Sequence, residues 1–172
     1  GGDGVDTVSY EDSWDMVLVN LATNVNKYGA ASRDIITNVE NVMGSDYNDD
    51  ITGNDVANRL NGGLGNDTLS GGKGNDYLLG GEGNDTMTGG ADADVFVFEN
   101  SFGNDVITDF WAGAGRTDRV WLKDAGITSL ADVHYTLTDT AAGAVLAIDG
   151  HGSITFTGVH AAQLVLDDFI FN

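Results

Sequence analysis

From Gly44 to Val97 the chain divides without remainder into six nine-residue units: GSDYNDDIT, GNDVANRLN, GGLGNDTLS, GGKGNDYLL, GGEGNDTMT and GGADADVFV. An outlying copy, GGDGVDTVS, stands at Gly1. The shared pattern is Gly-Gly-x-Gly-x-Asp-x-apolar-x, met in full by the three units from Gly62 to Thr88. A fixed short period of this kind dictates a repeating supersecondary unit before any other feature is weighed. The first six positions hold glycine and short polar residues, which tolerate positive φ and favour turns. The last three run polar, apolar, polar, the rhythm of a short strand. Such a strand is unstable alone. Ile51, Leu60, Leu69, Leu78, Met87 and Phe96, with Val8 in the outlying copy, must therefore stack into one buried strip. The expectation is an all-β solenoid, a parallel β-roll whose units each make half a coil and whose strands alternate between two sheets.

The flanks read differently. Residues 1–43 carry candidate strands at Val17–Leu21 and Ile35–Val42 and suit an extension or cap at the N-terminal end of the roll. Solenoids need such ends, because an open end exposes apolar side chains and unpaired strand edges. Residues 44–97 form the roll. Residues 98–172 return to ordinary β-sequence, with strands at Asp105–Phe110, Arg119–Leu122, Tyr135–Thr138, Ala144–Ile148 and Ser153–Thr157. Turn signals at Thr140–Gly143 and Asp149–Gly152 make this an antiparallel cap. Helix is confined to about one turn each at Ser129–Val133 and His160–Leu164.

The repeated carboxylates carry the chemistry. The sixth position holds Asp49, Asp67, Asp76, Asp85 and Asp94, with Asn58 in the second unit. In a two-sheet roll alternate turns share a side, so Asp49, Asp67 and Asp85 form one file and Asn58, Asp76 and Asp94 the other. Ca²⁺ takes about six to eight oxygens and accepts backbone carbonyls beside carboxylates. Each gap within a file offers two side chains and the carbonyls of two glycine-rich turns, so two gaps per file give about four ions. Without metal, two carboxylates about 4 Å apart repel by roughly 4 kcal/mol at an effective dielectric near 20. Folding and calcium binding are expected to be one event.

The composition agrees. With 27 acidic and 7 basic residues the formal net charge is −20, which repels nucleic acid and anionic membranes and attracts cations. The 41% hydrophobic content is enough for a core, cysteine is absent, and no apolar run approaches the ~20 residues that span a bilayer. Gly1-Gly2-Asp3-Gly4 reads as mid-repeat, so no cleavable signal is expected there and the segment is expected to follow an N-terminal passenger.

The run GGLGNDTLS-GGKGNDYLL-GGEGNDTMT resembles the repeats-in-toxin (RTX) family of secreted bacterial proteins, which includes haemolysins, serralysin-type proteases, certain lipases and alginate epimerases. The resemblance implies a right-handed parallel β-roll. It implies calcium ligands at the aspartates above and at carbonyls of turn residues such as Gly62, Gly63, Gly65, Gly71, Gly72, Gly74, Gly80, Gly81 and Gly83. Tyr47, Val56 and Asp92 depart from the family's fourth-position glycine, and Asn58 from its aspartate. DVITDF at Asp105–Phe110, followed by Asp118-Arg119-Val120, is similar to the segment after the roll in serralysin-type proteins. Asp167–Asn172 resembles the acidic-then-apolar signal of type I secretion. The function implied is a module that folds on calcium outside the cell and supports export and stability of its passenger, with the type I machinery and the passenger as partners.

The remaining residues have plainer readings. Asp105, Asp109 and Asp118 suit turn or capping roles more than an extension of the files. His134, His151 and His160 share no metal-ligand spacing and suit surface hydrogen bonding. At least two of Trp14, Trp111 and Trp121 are expected to fill the cores of the caps. Arg116, Arg119 and Lys123 form the one basic cluster and suit a solvated face. There is no His-Glu-x-x-His, Gly-x-Ser-x-Gly or phosphate loop, so no catalysis is expected of this segment. A carbohydrate-binding accessory module is the rival reading, with Tyr77 facing outward. Thr68, Ser70, Thr86 and Thr88 are taken as its surroundings and offer few stacking rings. The 7 basic residues also argue against tight binding of a polyanion. A structural role in an adhesin or surface layer is the third.

Overall fold

The computed structural model describes residues 1–115, 117–123, 127–129 and 134–171. Residues 130–133 of the turn expected at Ser129–Val133, and Arg116 of the basic cluster, fall outside these. The strands are β1 (Thr7–Ser9), β2 (Leu18–Asn20), β3 (Asn41–Met43), β4 (Asp50–Thr52), β5 (Arg59–Leu64), β6 (Thr68–Lys73), β7 (Tyr77–Glu82) and β8 (Thr86–Ala91). They continue as β9 (Val95–Glu99), β10 (Gly103–Ile107), β11 (Arg119–Lys123), β12 (Tyr135–Asp139), β13 (Gly143–Ile148), β14 (Gly152–Thr157) and β15 (Phe169–Phe171). Helix is limited, among the described residues, to short 3-10 turns such as Ala161–Gln163.

Two sheets face each other. One has the order β1-β3-β5-β7-β9-β11-β15, the other β12-β13-β14-β10-β8-β6-β4-β2. Each half-coil sends the chain to the opposite sheet, so strands paired within a repeat sheet lie two units apart. Leu60 aligns with Leu78 and Phe96 in one, Ile51 with Leu69 and Met87 in the other. These six side chains have no exposed surface, as the period predicts. Val42, Val120, Val19 and Ile107 extend the same rows beyond the repeats, fully buried as well. At the C-terminal end Phe110 packs edge-on against Phe156 at 4.9 Å and at a tilt against Phe96 at 6.1 Å, closing the strip.

Three features differ from the sequence expectation. The central strands have six residues rather than three, because pairing continues into the next unit's glycines, as in Gly63 with Gly81 and Gly72 with Gly90. The backbones approach closely there: a Cβ on Gly81, whose φ is +109°, would sit 1.9 Å from the Gly63 carbonyl oxygen. The strand expected at Ile35–Val42 shrinks to β3, which starts where parallel pairing with β5 becomes available. Upstream of it the Asn24 side chain accepts the Ile36 N–H, and Asn38 takes φ +51°. Finally, β10 and β11 are not antiparallel cap strands. They add one more coil to the roll as two half-coils, parallel to β8 and β9, and among the described residues only β12–β13–β14 form an antiparallel meander. Both sheets thus run unbroken across residues 43/44 and 97/98.

Candidate calcium-binding turns

The turns between strands stack on the two edges of the roll and bring the sixth-position side chains into two files. In one, the Asp49 N–H donates to Asp67 Oδ1 at 2.7 Å and the Asp67 N–H to Asp85 Oδ1 at 2.8 Å. In the other, the Asn58 N–H donates to Asp76 Oδ1 at 2.7 Å and the Asp76 N–H to Asp94 Oδ1 at 2.9 Å. One carboxylate oxygen per residue is thereby spent on holding the next coil in register.

Both files continue past the repeats. The Asp85 N–H donates to Asp105 Oδ1 at 2.8 Å and the Asp94 N–H to Asp118 Oδ1 at 3.0 Å. Asp109 lies beside the second file and accepts the N–H groups of Gly89 and Gly90 at 2.9 and 2.8 Å. Asp105 and Asp118 therefore stand in the files, whereas Asp109 keeps the capping role expected of it. Their spacings of 20 and 24 residues break the repeat's 18, so periodicity alone passes over them. At the other end Glu40 plays the same part, its Oε2 accepting the Asp6 N–H at 3.0 Å.

The second carboxylate oxygens divide the file members. Oδ2 of Asp67, Asp76, Asp85 and Asp94 is buried and has no hydrogen-bond partner. Asp49 is provided for, since Ser45 donates to its Oδ2 both its N–H at 2.5 Å and its hydroxyl at 3.0 Å. Asn58 also satisfies itself: Nδ2 donates to the Glu40 carbonyl at 2.8 Å and Oδ1 accepts the Asn54 N–H at 2.8 Å. Ser45 and Asn54 replace the second-position glycine in the two degenerate units, and their side chains brace turns that lack the full pattern.

The consequence is electrostatic. A buried ionised carboxylate without a partner costs far more than a neutral group. Burial pushes Asp67 and Asp105 up to about 8, Asp76 to about 7, and Asp85 and Asp94 to about 6, with Coulomb repulsion along the file adding at Asp67 and Asp76. Asp49 and Asp118 shift the same way, again through burial.

The glycines shape the space around the orphaned oxygens. A Cβ on Gly62 would lie 2.1 Å from Asp67 Oδ2 and 2.6 Å from the Gly80 carbonyl oxygen. On Gly71 it would lie 2.2 Å from Asp76 Oδ2 and 2.6 Å from the Gly89 carbonyl oxygen. On Gly80 it would meet Asp85 Oδ2 at 2.1 Å. Carboxylate and carbonyl oxygens thus converge where a side chain would begin. Gly63, Gly65, Gly72, Gly74, Gly81 and Gly83 take φ between +106° and +147°, which turns successive peptides in a way L-residues resist. Among the described residues no three acidic, histidine or cysteine side chains gather at one point. A cation here must draw on main-chain carbonyls, the mixed oxygen set that suits a hard cation such as Ca²⁺.

Elsewhere the plainer readings meet mixed outcomes. His134 pairs with Asp149 at 2.8 Å and His151 with the Asn100 carbonyl at 2.7 Å, both on the surface. The tryptophans do not fill cap cores. Trp14 is 75% and Trp111 64% exposed, and Trp121 lies on the outer face of β11. Phenylalanines occupy the space instead, with Phe96, Phe98, Phe102 and Phe156 almost entirely buried. Tyr77 does not stand among Thr68, Ser70, Thr86 and Thr88. Those lie on β6 and β8 of the other sheet, and its neighbours are Arg59 and Val95.

A parallel roll with carboxylate files along glycine turns defines a calcium-binding repeat module, and comparison with known proteins agrees. A family description of the RTX calcium-binding nonapeptide repeat matches residues 43–78 and 61–96. The AlgE6R3 subunit of the mannuronan C5-epimerase of Azotobacter vinelandii superimposes with a TM-score of 0.61 at 30% identity, over 73% of this chain and 79% of that one. The chain belongs to the RTX calcium-binding repeat family. The extracellular lipase LipA of Serratia marcescens shares the fold, with a TM-score of 0.60 at 24% identity over 86% of this chain. That likeness spans 24% of the lipase. Comparison with curated protein sequences finds no match. No helix among the described residues is long and apolar enough to cross a membrane.

Proposed function

We propose that this chain is a non-catalytic folding module whose roll closes only when Ca²⁺ satisfies the orphaned Oδ2 atoms of Asp67, Asp76, Asp85 and Asp94. Those four buried, partnerless oxygens carry the reading. Their count supports about four ions, each held by a carboxylate and carbonyls of turn glycines such as Gly62, Gly71 and Gly80. Asp105 and Asp118 complete the C-terminal ends of the two files, and Asp49 and Asn58 close the N-terminal ends with less need of metal. A site bathed in ligand at about 100 times its dissociation constant contributes about 2.7 kcal/mol, so four contribute about 11, comparable to a whole domain's stability of about 5–15.

The biological use follows from that dependence. Low cytosolic calcium leaves the chain extended for export through a type I channel, and external calcium folds it outside the cell and gives an N-terminal passenger a stable platform. The acidic-apolar tail, whose Phe169–Phe171 pairs with β11, is the candidate export signal. The larger proteins that contain similar modules, an epimerase and a lipase, support the passenger reading. Circular dichroism and sedimentation during a titration from chelator to millimolar Ca²⁺, with Mg²⁺ as control, test the proposal. A cooperative, calcium-selective gain of β-structure with compaction is expected. Equal compactness in chelator would sink it.

A further inference from the structure

Asn61 is the only asparagine in the chain that a glycine follows. The fifth-position asparagines of the turns, Asn48, Asn66, Asn75 and Asn84, all precede aspartate. The difference is chemical, because asparagine is thermolabile through attack on its side-chain carbonyl by the backbone nitrogen of the next residue. Glycine at that next position has no Cβ to obstruct the approach and moves freely in φ and ψ. In the folded roll the attack is blocked. Asn61 lies within β5, aligned with Met43 on one side and Leu79 on the other. Its carbonyl accepts the Gly44 N–H at 2.8 Å. Strand side chains stand roughly perpendicular to a sheet, whereas the peptide N–H lies within it. Pairing on both sides therefore holds the Gly62 nitrogen away from the Asn61 amide carbon, and Gly62 is itself buried.

We propose that Asn61–Gly62 is a self-modification site gated by calcium: it deamidates in the metal-free, unfolded chain, is protected in the roll, and once converted to isoaspartate keeps the chain from closing on calcium. The inference rests on the reading that calcium folds the roll. In the open chain the Gly62 backbone nitrogen gives up its proton and bonds to Asn61 Cγ. The Cγ–Nδ2 bond breaks, and the amide group takes up a proton and leaves as ammonia. Water then opens the cyclic succinimide that remains. Cleavage between Cγ and the Gly62 nitrogen gives aspartate in the ordinary backbone. Cleavage between the backbone carbonyl carbon of residue 61 and that nitrogen gives isoaspartate, whose main chain runs through Cγ. Nothing is oxidised or reduced, and water is the only co-reactant.

Both products disturb this coil, isoaspartate far more. It lengthens the main chain by a methylene between positions 61 and 62. β5 pairs with β7 on both sides of that bond, at Asn61–Leu79 and at Gly63–Gly81. An added backbone atom cannot be absorbed while both pairs stand in register. It also displaces Gly62 where space is least, since even a Cβ there would collide with Asp67 Oδ2 and the Gly80 carbonyl oxygen. Ordinary aspartate keeps the backbone but adds a charge. Asn61 lines a surface cavity of about 310 Å³ with Glu11, Asp46, Glu82 and Glu99, of which Glu99 is already paired with Lys123.

The test ages the whole chain at mildly alkaline pH in millimolar Ca²⁺, in chelator, and in chelator with urea. Peptide mapping by mass spectrometry reads conversion at Asn61, with Asn66 and Asn84 as internal standards. Labelling by an isoaspartate methyltransferase separates the two products, and circular dichroism reads the fold of each sample. Conversion at Asn61 should be at least about tenfold faster in chelator than in calcium, because the strand must open before the nitrogen can attack. It should also outpace both standards. Calcium added to the aged chelator sample should fold a fraction of molecules that falls as isoaspartate rises, whereas Asn61→Gln aged alongside should fold as before. Should that variant not fold on calcium, ion exchange of the aged native chain into converted and unconverted fractions gives the same comparison. Equal rates in calcium and in urea, with the calcium sample folded, overturn the gating and leave the calcium reading standing. Conversion at Asn61 no faster than at the standards overturns the site. Equal loss of the calcium response with and without conversion overturns the consequence. A chain already folded in chelator sinks the calcium reading; the site then stands, with folding as its gate, if urea alone accelerates conversion, and falls if it does not.

Discussion

Replacing Asp76 by asparagine should change the stability of the roll in opposite directions with and without calcium. Asp76 is fully buried, its Oδ1 holds the Asn58 N–H at 2.7 Å, and its Oδ2 has no partner. Asparagine keeps the shape and the acceptor but removes the charge. Position 58 shows how a file accommodates it, with Nδ2 donating to a carbonyl of the neighbouring coil at 2.8 Å. In chelator at pH 8, above the value of about 7 to which burial pushes this group, the native side chain is mostly ionised and uncompensated. Leaving a buried polar group unsatisfied costs about 1–3 kcal/mol and more when charged, so Asp76→Asn should stabilise the metal-free roll by about that much. In calcium at about 100 times the dissociation constant, a weakened site forfeits up to about 2.7 kcal/mol. Urea unfolding followed by far-ultraviolet circular dichroism measures both. Where the metal-free chain is already unfolded, a titration with a stabilising osmolyte replaces urea. A variant destabilised equally in chelator and in calcium would refute the reasoning, for the carboxylate would then act through hydrogen bonds alone.

Three further outcomes are expected. In chelator the roll should be most compact near pH 4 and lose structure as pH rises through 6 to 8, because the file carboxylates have folded values raised by burial and their protonated forms favour the fold. Circular dichroism across pH checks this, calcium should abolish the dependence, and a flat metal-free profile would contradict it. Gly81→Ala should abolish calcium-induced folding or raise its calcium midpoint at least about tenfold, since a Cβ there meets the Gly63 carbonyl at 1.9 Å with φ at +109°. Gly2→Ala, where nothing lies within 4 Å, should leave the midpoint in place. Phe96→Ala should cost about 3–5 kcal/mol in calcium by chemical denaturation, because Phe96 is wholly buried in the shared strip.

What could be read from the sequence is what repeats, and the reason is physical. A stacked coil imposes the same environment at the same phase, so Leu60, Leu69 and Leu78 announce the core, and Asp67, Asp76 and Asp85 the files, by period alone. Asp105 and Asp118 do the same work but arrive after loops of other lengths, and the chain had no need to keep count once β8 and β9 offered edges to pair with. The tryptophans could not be placed from composition. The repeat strands β4 to β8 each turn one apolar side chain inward, and phenylalanine fills the closing positions, leaving indoles to the outside. The subtlest loss comes from the period itself. At nine residues Arg59, Thr68, Tyr77 and Thr86 look like neighbours in one polar series. At eighteen, the spacing of strands within a sheet, they separate into an arginine–tyrosine row on one face and a threonine row on the other. Core and turns are the same on both sides of a roll and survive reading at either period, whereas the surfaces available to partners are distinguished only at the longer one.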